Sequence, residues 1–344
     1  MTTVTISASK SYAVKIGSGI LSTLAEEIRA LGKAEQVLIV SDSNVFPLYG
    51  NCCVRQLEEA GFTVSSFVFP AGEQNKNANT YLSLLSALAS AHLTRTDCIV
   101  ALGGGVVGDL AGFAAAPYLR GIRYIQIPTT VLAAVDSSVG GKTAIDLPEG
   151  KNLAGAFYQP SLVLCDTDTW NTLPRDVFLD GCAEIIKYGI LYDPALFASL
   201  EETGPDFDRE AVIARCVQWK NTAVAEDEFD TGARRKLNLG HTIGHCIEKQ
   251  SGYSVSHGKA VAIGMAMAAR ACDCPDRDRI LAILKQFDLP ITPAYSAREL
   301  YVHALSDKKR TGGTVNLILP RAIGNCDIVP IPVDHLQAFL EAGF

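Results

Sequence analysis

Short apolar runs alternate with longer stretches of helical spacing through the first 165 residues. QVLIV (36–40), FTVSSFVF (62–69), DCIVAL (97–102), RYIQI (123–127) and SLVLC (161–165) read as strands. Between them, YGNCCVRQLEEA and NANTYLSLLSALASAHL (77–93) repeat their apolar positions every three to four residues, which predicts helices. Buried strands alternating with helices predict a parallel, doubly wound α/β sheet.

The pattern changes near residue 170. VFLDGCAEIIKYGIL, REAVIARCVQWKNTAVAEDE, LGHTIGHCIEK, KAVAIGMAMAARAC and RILAILKQF all carry the helical period, and only TVNLIL (314–319) reads as a strand. Two domains are expected: 1–169 with the parallel sheet, and 170–344, mainly α-helical. No Ser/Gly-rich or charge-rich linker separates them, and no internal repeat is visible.

Composition narrows the function. With 48% hydrophobic and 19% charged residues, the chain can build a large core, so global disorder is excluded. A formal charge of −7 argues against a chain-wide basic field for nucleic acid or anionic membrane. A small anionic ligand in a locally basic pocket stays open. No apolar run reaches the roughly 18 residues of a membrane span, and the first residues lack a charged-then-apolar leader. The ten cysteines are scattered without a CxxC pair, which points to reduced thiols and a cytoplasmic setting.

Several segments carry chemistry. ALGGGVVGDLAGF (101–113) is a strand, a glycine cluster and a helix start, where backbone N–H groups can cradle a phosphate. It is not the standard GxGxxG fingerprint. Asp42 and Asn44 follow one strand, and PTT (128–130) follows another. VDSSVGGKTAIDLPEGKNLAGAF (135–157) sets Asp136, Lys142, Lys151 and Asn152 among small residues, and a lysine there can clamp an anion.

In the second half, His241 and His245 stand at i and i+4, with His257 sixteen residues after the first. Three protein ligands and an open position describe a catalytic zinc, and the spacing is not the HExxH of a zinc protease. Glu184, alone in an apolar helix with Lys187 one turn on, is a candidate carboxylate ligand, since a buried carboxylate needs a partner. From spacing alone, His241 and His245 would be joint ligands. Arg234 and Asn238 would share the His241 face if that helix extends back. With Lys220 and the DKKR stretch (307–310), they suggest a polyanionic small substrate.

Taken together, GGGVVGDLAGF, RGIRYIQIPTTVLAAVDSSVGGKTAID, GKNLAGAFYQP, AEIIKYG, NLGHTIGH, HGKAVAIGM and DKK closely resemble the 3-dehydroquinate synthase family, within the sugar-phosphate cyclases. The resemblance implies a Rossmann-like NAD-binding domain followed by a helical metal-binding domain, in a homodimer. It implies NAD and one Zn²⁺ or Co²⁺, and a sugar phosphate, 3-deoxy-D-arabino-heptulosonate 7-phosphate, as substrate. By motif, Glu184, His241 and His257 are implied as metal ligands, and His245 moves to the substrate, near its phosphate. Lys142, Asn238 and either Lys308 or Lys309 are implied to bind phosphate, with Arg120 reaching it from the partner subunit. Lys220 and Arg234 would hold the carboxylate, and Lys187 and Asn152 would line the pocket. Asp42, Gly104, Gly105, Asp109, Thr129, Thr130, Asp136, Ser137, Lys142 and Lys151 would hold NAD. One departure is Arg175–Asp176–Val177, where the family commonly has an acid at the last position.

Overall fold

The computed structural model describes residues 1–304, 310, 311 and 313–344. Lys308 and Lys309 lie outside the described residues. Contacts divide the chain into Met1–Leu173 with Arg209–Phe229, and Pro174–Asp208 with Asp230–Phe344. The helix Arg209–Glu226, assigned by its period to the second domain, belongs by its contacts to the first, where it packs on the N-terminal strands.

The first unit contains β1 (Thr2–Ile6), β2 (Tyr12–Gly17), β3 (Gln36–Asp42), β4 (Thr63–Phe69), β5 (Cys98–Gly103), β6 (Arg123–Pro128), β7 (Lys142–Leu147), β8 (Gly150–Phe157) and β9 (Leu162–Asp166). Seven strands form one sheet in the order β1-β2-β9-β6-β5-β3-β4, parallel except for β1 against β2. Both faces of the central strands are covered. Val37 and Ile39 pack with Leu24, Ile28, Cys53 and Leu57 on one side, and Leu38 and Val40 with Leu84, Leu88, Leu110 and Ala114 on the other. Burial on both faces is why these strands read as unbroken apolar runs. From β3 the chain winds outward to β4, then returns to the opposite side of β3 and continues through β5 to β6. The carboxyl ends of β3 and β5 therefore flank the switch point where such sheets bind ligands.

Two hairpins were not expected. β1 and β2 mix Thr, Lys and small residues into short alternations at the sheet edge. β7 and β8 pair antiparallel, from Lys142↔Phe157 to Leu147↔Gly150, in a segment whose glycines read as loop.

The second unit is mostly helical, with β10 (Arg310–Thr311), β11 (Thr314–Ala322) and β12 (Asn325–Pro332) in an antiparallel sheet. β12 corrects the expectation of a single strand in this half. Its prolines hid it, and an edge strand is where proline is tolerated. The helix Arg175–Tyr192 is continuously buried from Gly181 to Leu191. A helix apolar on every side is one that packs on every side, which isolates Glu184 and Lys187 from water.

Candidate metal centre and cofactor loops

Within the second unit, three helices meet at Glu184. His241 and His257 are each the first residue of a helix, His241–Gln250 and His257–Ala271. Two glycines let the backbones approach. A Cβ on Gly258 would lie 1.8 Å from the Asp180 carbonyl oxygen, and one on Gly264 would lie 2.0 Å from that of Gly240. The first contact adjoins His257 and sits one turn before Glu184; the second adjoins His241. The Asp180 carboxylate then caps the His257 helix, accepting from Gly258 N–H at 3.1 Å, Lys259 N–H at 2.9 Å and the Ser256 hydroxyl. A carboxylate on exposed N–H groups satisfies them and complements the helix dipole.

The result is a compact donor set. Glu184 Oε1 stands 3.5 Å from His241 Nε2 and 3.5 Å from His257 Nε2. Ligands about 2.0–2.2 Å from a tetrahedral zinc are separated by roughly 3.3–3.6 Å. Two imidazoles and one carboxylate thus have the chemistry and the spacing for one divalent ion. Lys187 donates to the other oxygen, Glu184 Oε2, one turn along the same helix. His245 is more exposed, and its ring lies 5.7 Å from that of His241 and 6.4 Å from that of His257. With Glu248 and His257 it forms a second group of potential ligands. It lies outside the Glu184 cluster, unlike the His241 with which spacing paired it.

Burial works against a charged His257, but the Glu184 and Glu248 carboxylates outweigh it and raise its pKa to about 10. Arg234 is buried and Asn238 half-buried in this unit. They do not extend the His241 face. Gly240, at φ 78, separates a 3₁₀ turn, Ala233–Asn238, from the helix. Arg175 makes an exposed ion pair with Asp288, at 3.6 Å, and Val177 is exposed.

In the first unit, the remaining candidates gather at the strand ends. Asp42 closes β3, its Oδ1 accepting from the N–H groups of Asn44 at 2.8 Å and Val45 at 3.0 Å. Gly104 and Gly105 join β5 to the helix Gly105–Ala115; a Cβ on them would meet Thr130 at 3.0 Å and Ser137 at 3.1 Å. The Thr129 hydroxyl is buried with no hydrogen-bond partner among the described residues, and Thr129 N–H donates to Gly103 at 3.0 Å. A tight glycine turn, beside a buried hydroxyl at a switch point, fits a dinucleotide phosphate. Lys220 is buried and donates to Asp136 through both its carboxylate, at 2.6 Å, and its backbone carbonyl, at 2.7 Å.

Lys76 escaped the sequence reading. It is buried, and its ammonium reaches Asn152 Oδ1 at 2.8 Å, Glu73 at 3.0 Å, Asp109 at 3.1 Å and Asp146 at 3.8 Å. Burial lowers its pKa, but the three acids raise it further, so Lys76 stays charged. Asp109 is raised to about 6, chiefly by burial and against the pull of Lys76. Thus Lys76 ties Asp109 and Asn152 together, although only its neighbour Glu73 lies near it in sequence. Lys142 and Lys151 sit on the hairpin, Lys151 at 3.9 Å from Glu73. Arg120 is exposed at φ 64 beside Leu119 at φ 51. Two consecutive left-handed non-glycine residues cost about 1–2 kcal/mol each, a strain that the surrounding structure must hold in place.

Comparisons with known proteins agree across the whole chain. Family models described as 3-dehydroquinate synthase N-terminal and 3-dehydroquinate synthase C-terminal match residues 66–180 and 181–310. A 3-dehydroquinate synthase from Pelobacter propionicus is 45% identical over 95% of this chain and 95% of its own. Among solved structures, 2-deoxy-scyllo-inosose synthase complexed with carbaglucose-6-phosphate, NAD⁺ and Co²⁺ superposes with a TM-score of 0.89 at 26% identity, over 100% of both chains. The 2-epi-5-epi-valiolone synthase of Streptomyces hygroscopicus, with NAD⁺ and Zn²⁺ bound, gives 0.88 at 26% identity, over 99% of this chain and 98% of that one. Among the described residues, no helix is long and apolar enough to cross a membrane.

Proposed function

The chain belongs to the 3-dehydroquinate synthase family, and from that premise we propose which of its residues perform the reaction. It is an NAD- and divalent-metal-dependent phosphate lyase. It converts 3-deoxy-D-arabino-heptulosonate 7-phosphate to 3-dehydroquinate and phosphate, a step of aromatic amino acid biosynthesis. The observation that carries the assignment is the equal 3.5 Å reach of Glu184 Oε1 to Nε2 of His241 and of His257.

Those three residues hold the ion, Zn²⁺ or Co²⁺. When bound, the ion would supply Lewis-acid activation of a substrate hydroxyl, and NAD would supply a reversible hydride acceptor. Lys187 donates to Glu184 Oε2 and fixes that oxygen, leaving Oε1 toward the imidazoles. In the first unit, Asp42, Gly104, Gly105, Asp109, Thr129, Thr130, Asp136, Ser137, Lys142 and Lys151 hold NAD, and Lys76 stiffens that group through Asp109. The substrate roles implied for Arg120, Lys142, Asn152, Lys187, Lys220, Arg234, Asn238, His245 and Lys308 are proposed on the same footing, as are a homodimer and a cytoplasmic setting. The chain's own share of catalysis is orientation and charge placement.

Phosphate release from the heptulosonate phosphate tests the reading. The expected result is stoichiometric phosphate and 3-dehydroquinate, dependent on added NAD⁺ and metal, with no net absorbance change at 340 nm. Continuous NADH accumulation would instead indicate a simple dehydrogenase. Turnover of a hexose or heptulose phosphate to an inosose or valiolone would indicate the related cyclases.

Metal uptake should also depend on pH. His257 must lose its proton to bind an ion. Its pKa in the metal-free fold, about 10, lies above the ordinary value of 6.5. The proton therefore stabilises the metal-free fold fully below about 6.5, and that contribution disappears as pH rises through 10. Zinc affinity is expected to rise about tenfold per pH unit between 6 and 8 through this residue alone, with proton release in calorimetry. A flat affinity would contradict it.

A further inference from the structure

We propose that Glu248 is a positioning residue for the metal centre: from the outer side of His257 it fixes which ring nitrogen carries the proton and holds the ring facing Glu184. This rests on the reading of Glu184, His241 and His257 as ligands.

Each imidazole is bracketed. His241 turns Nε2 to Glu184 Oε1, at 3.5 Å, and Nδ1 to the Leu239 carbonyl, at 3.0 Å. A carbonyl oxygen only accepts, so Nδ1 holds the proton and Nε2 presents its lone pair. His257 has a carboxylate in the corresponding place, at ion-pair distance and just beyond a hydrogen bond. Its Nε2 stands 3.5 Å from Glu184 Oε1, and its Nδ1 stands 3.6 Å from Glu248 Oε1. The two nitrogens lie on different edges of the ring. An ion held at Nε2 with Glu184 therefore leaves Glu248 on the outer edge, as an acceptor for Nδ1–H rather than a ligand. A ligating histidine commonly donates its other N–H to such a carboxylate or carbonyl, which orients the ring and raises its basicity.

The placement of Glu248 supports a built role. It is 3% exposed, on the helix that begins at His241, and a carboxylate is costly to bury except where it meets a cation or a donor. The same residue therefore couples two ligand helices, one by sequence and one through the His257 ring. His245, Glu248 and His257 could themselves surround an ion, which would make Glu248 an inner ligand; the experiment separates these cases.

Protein stripped by chelation is titrated with zinc against a chromophoric chelator, and its Co²⁺ form is examined by visible absorption. The set is wild type, His257→Ala, Glu248→Ala and Glu248→Gln, with circular dichroism reporting the fold. Glu248→Ala is expected to bind one zinc per chain about 10–100-fold more weakly, with shifted Co²⁺ bands. Glu248→Gln, whose amide oxygen still accepts from Nδ1–H, is expected to fall between. Wild-type affinity and an unchanged Co²⁺ spectrum in a folded Glu248→Ala overturn the proposal, as does loss of stoichiometric zinc. If Glu248→Ala does not fold, Glu248→Gln decides: weaker binding supports the proposal, unchanged binding overturns it. A wild type that binds no zinc, or a His257→Ala variant that binds it normally, would instead remove the ligand assignment beneath it.

Discussion

His257→Ala is expected to purify without its metal and to lose activity by about a thousandfold or more, whereas His245→Ala keeps one ion per chain. The contrast follows from distance. His257 Nε2 faces Glu184 Oε1 at 3.5 Å, while the more exposed His245 stands outside that cluster. A bound ion supplies several kcal/mol of charge stabilisation, and each 1.36 kcal/mol is a factor of ten in rate. Removing one of three protein ligands forfeits most of that. His245→Ala should instead raise KM for the sugar phosphate, because its proposed role is to meet substrate. Metal content by elemental analysis, measured with steady-state kinetics, decides between them. Metal lost from both variants would move the ion to the group of His245, Glu248 and His257, and metal retained in His257→Ala would overturn the ligand assignment.

The second large effect is expected from a methyl group. In Gly258→Ala the new carbon would lie 1.8 Å from the Asp180 carbonyl oxygen. That neighbour is backbone of a buried helix, so the two helices must separate. Overpacking of this kind costs about 3 kcal/mol, or roughly 6–12 °C in Tm for a unit of this size. The separation also pulls His257 away from Glu184, so zinc affinity should fall about a hundredfold along with Tm. Gly244→Ala is the comparison. Its added carbon meets Ala260 backbone at 3.1 Å, a contact that yields with a small shift, so both measures should change little. Equal behaviour of the two variants in thermal melts and zinc titrations would rule out close helix approach as the device that sets the metal geometry.

Legibility in the sequence varied with the physical origin of each feature. Strands β3, β5, β6 and β9 were readable because burial on both faces favours apolar residues through their middles. The β7–β8 hairpin was not, because its glycines and lysines satisfy needs that the pairing itself creates. The helix Arg209–Glu226 was recognised as a helix, yet its unit was misjudged, since periodicity shows that a face is buried and not what buries it. Lys76 looked like any loop lysine; the acids and the amide that surround it come mostly from distant parts of the chain.

By itself the sequence determined the alternation of elements, the acidic balance and, through its motifs, the family and the residues available for chemistry. The tertiary structure decided which of them stand close enough to share an ion. Two histidines one turn apart are neighbours on any helix, so spacing paired His241 with His245. The glycines at 258 and 264 let one helix end sink against two others, and that contact put His257 opposite Glu184 instead. Helical periodicity acts over a few residues, whereas backbone approach between helices is settled only when the whole unit packs.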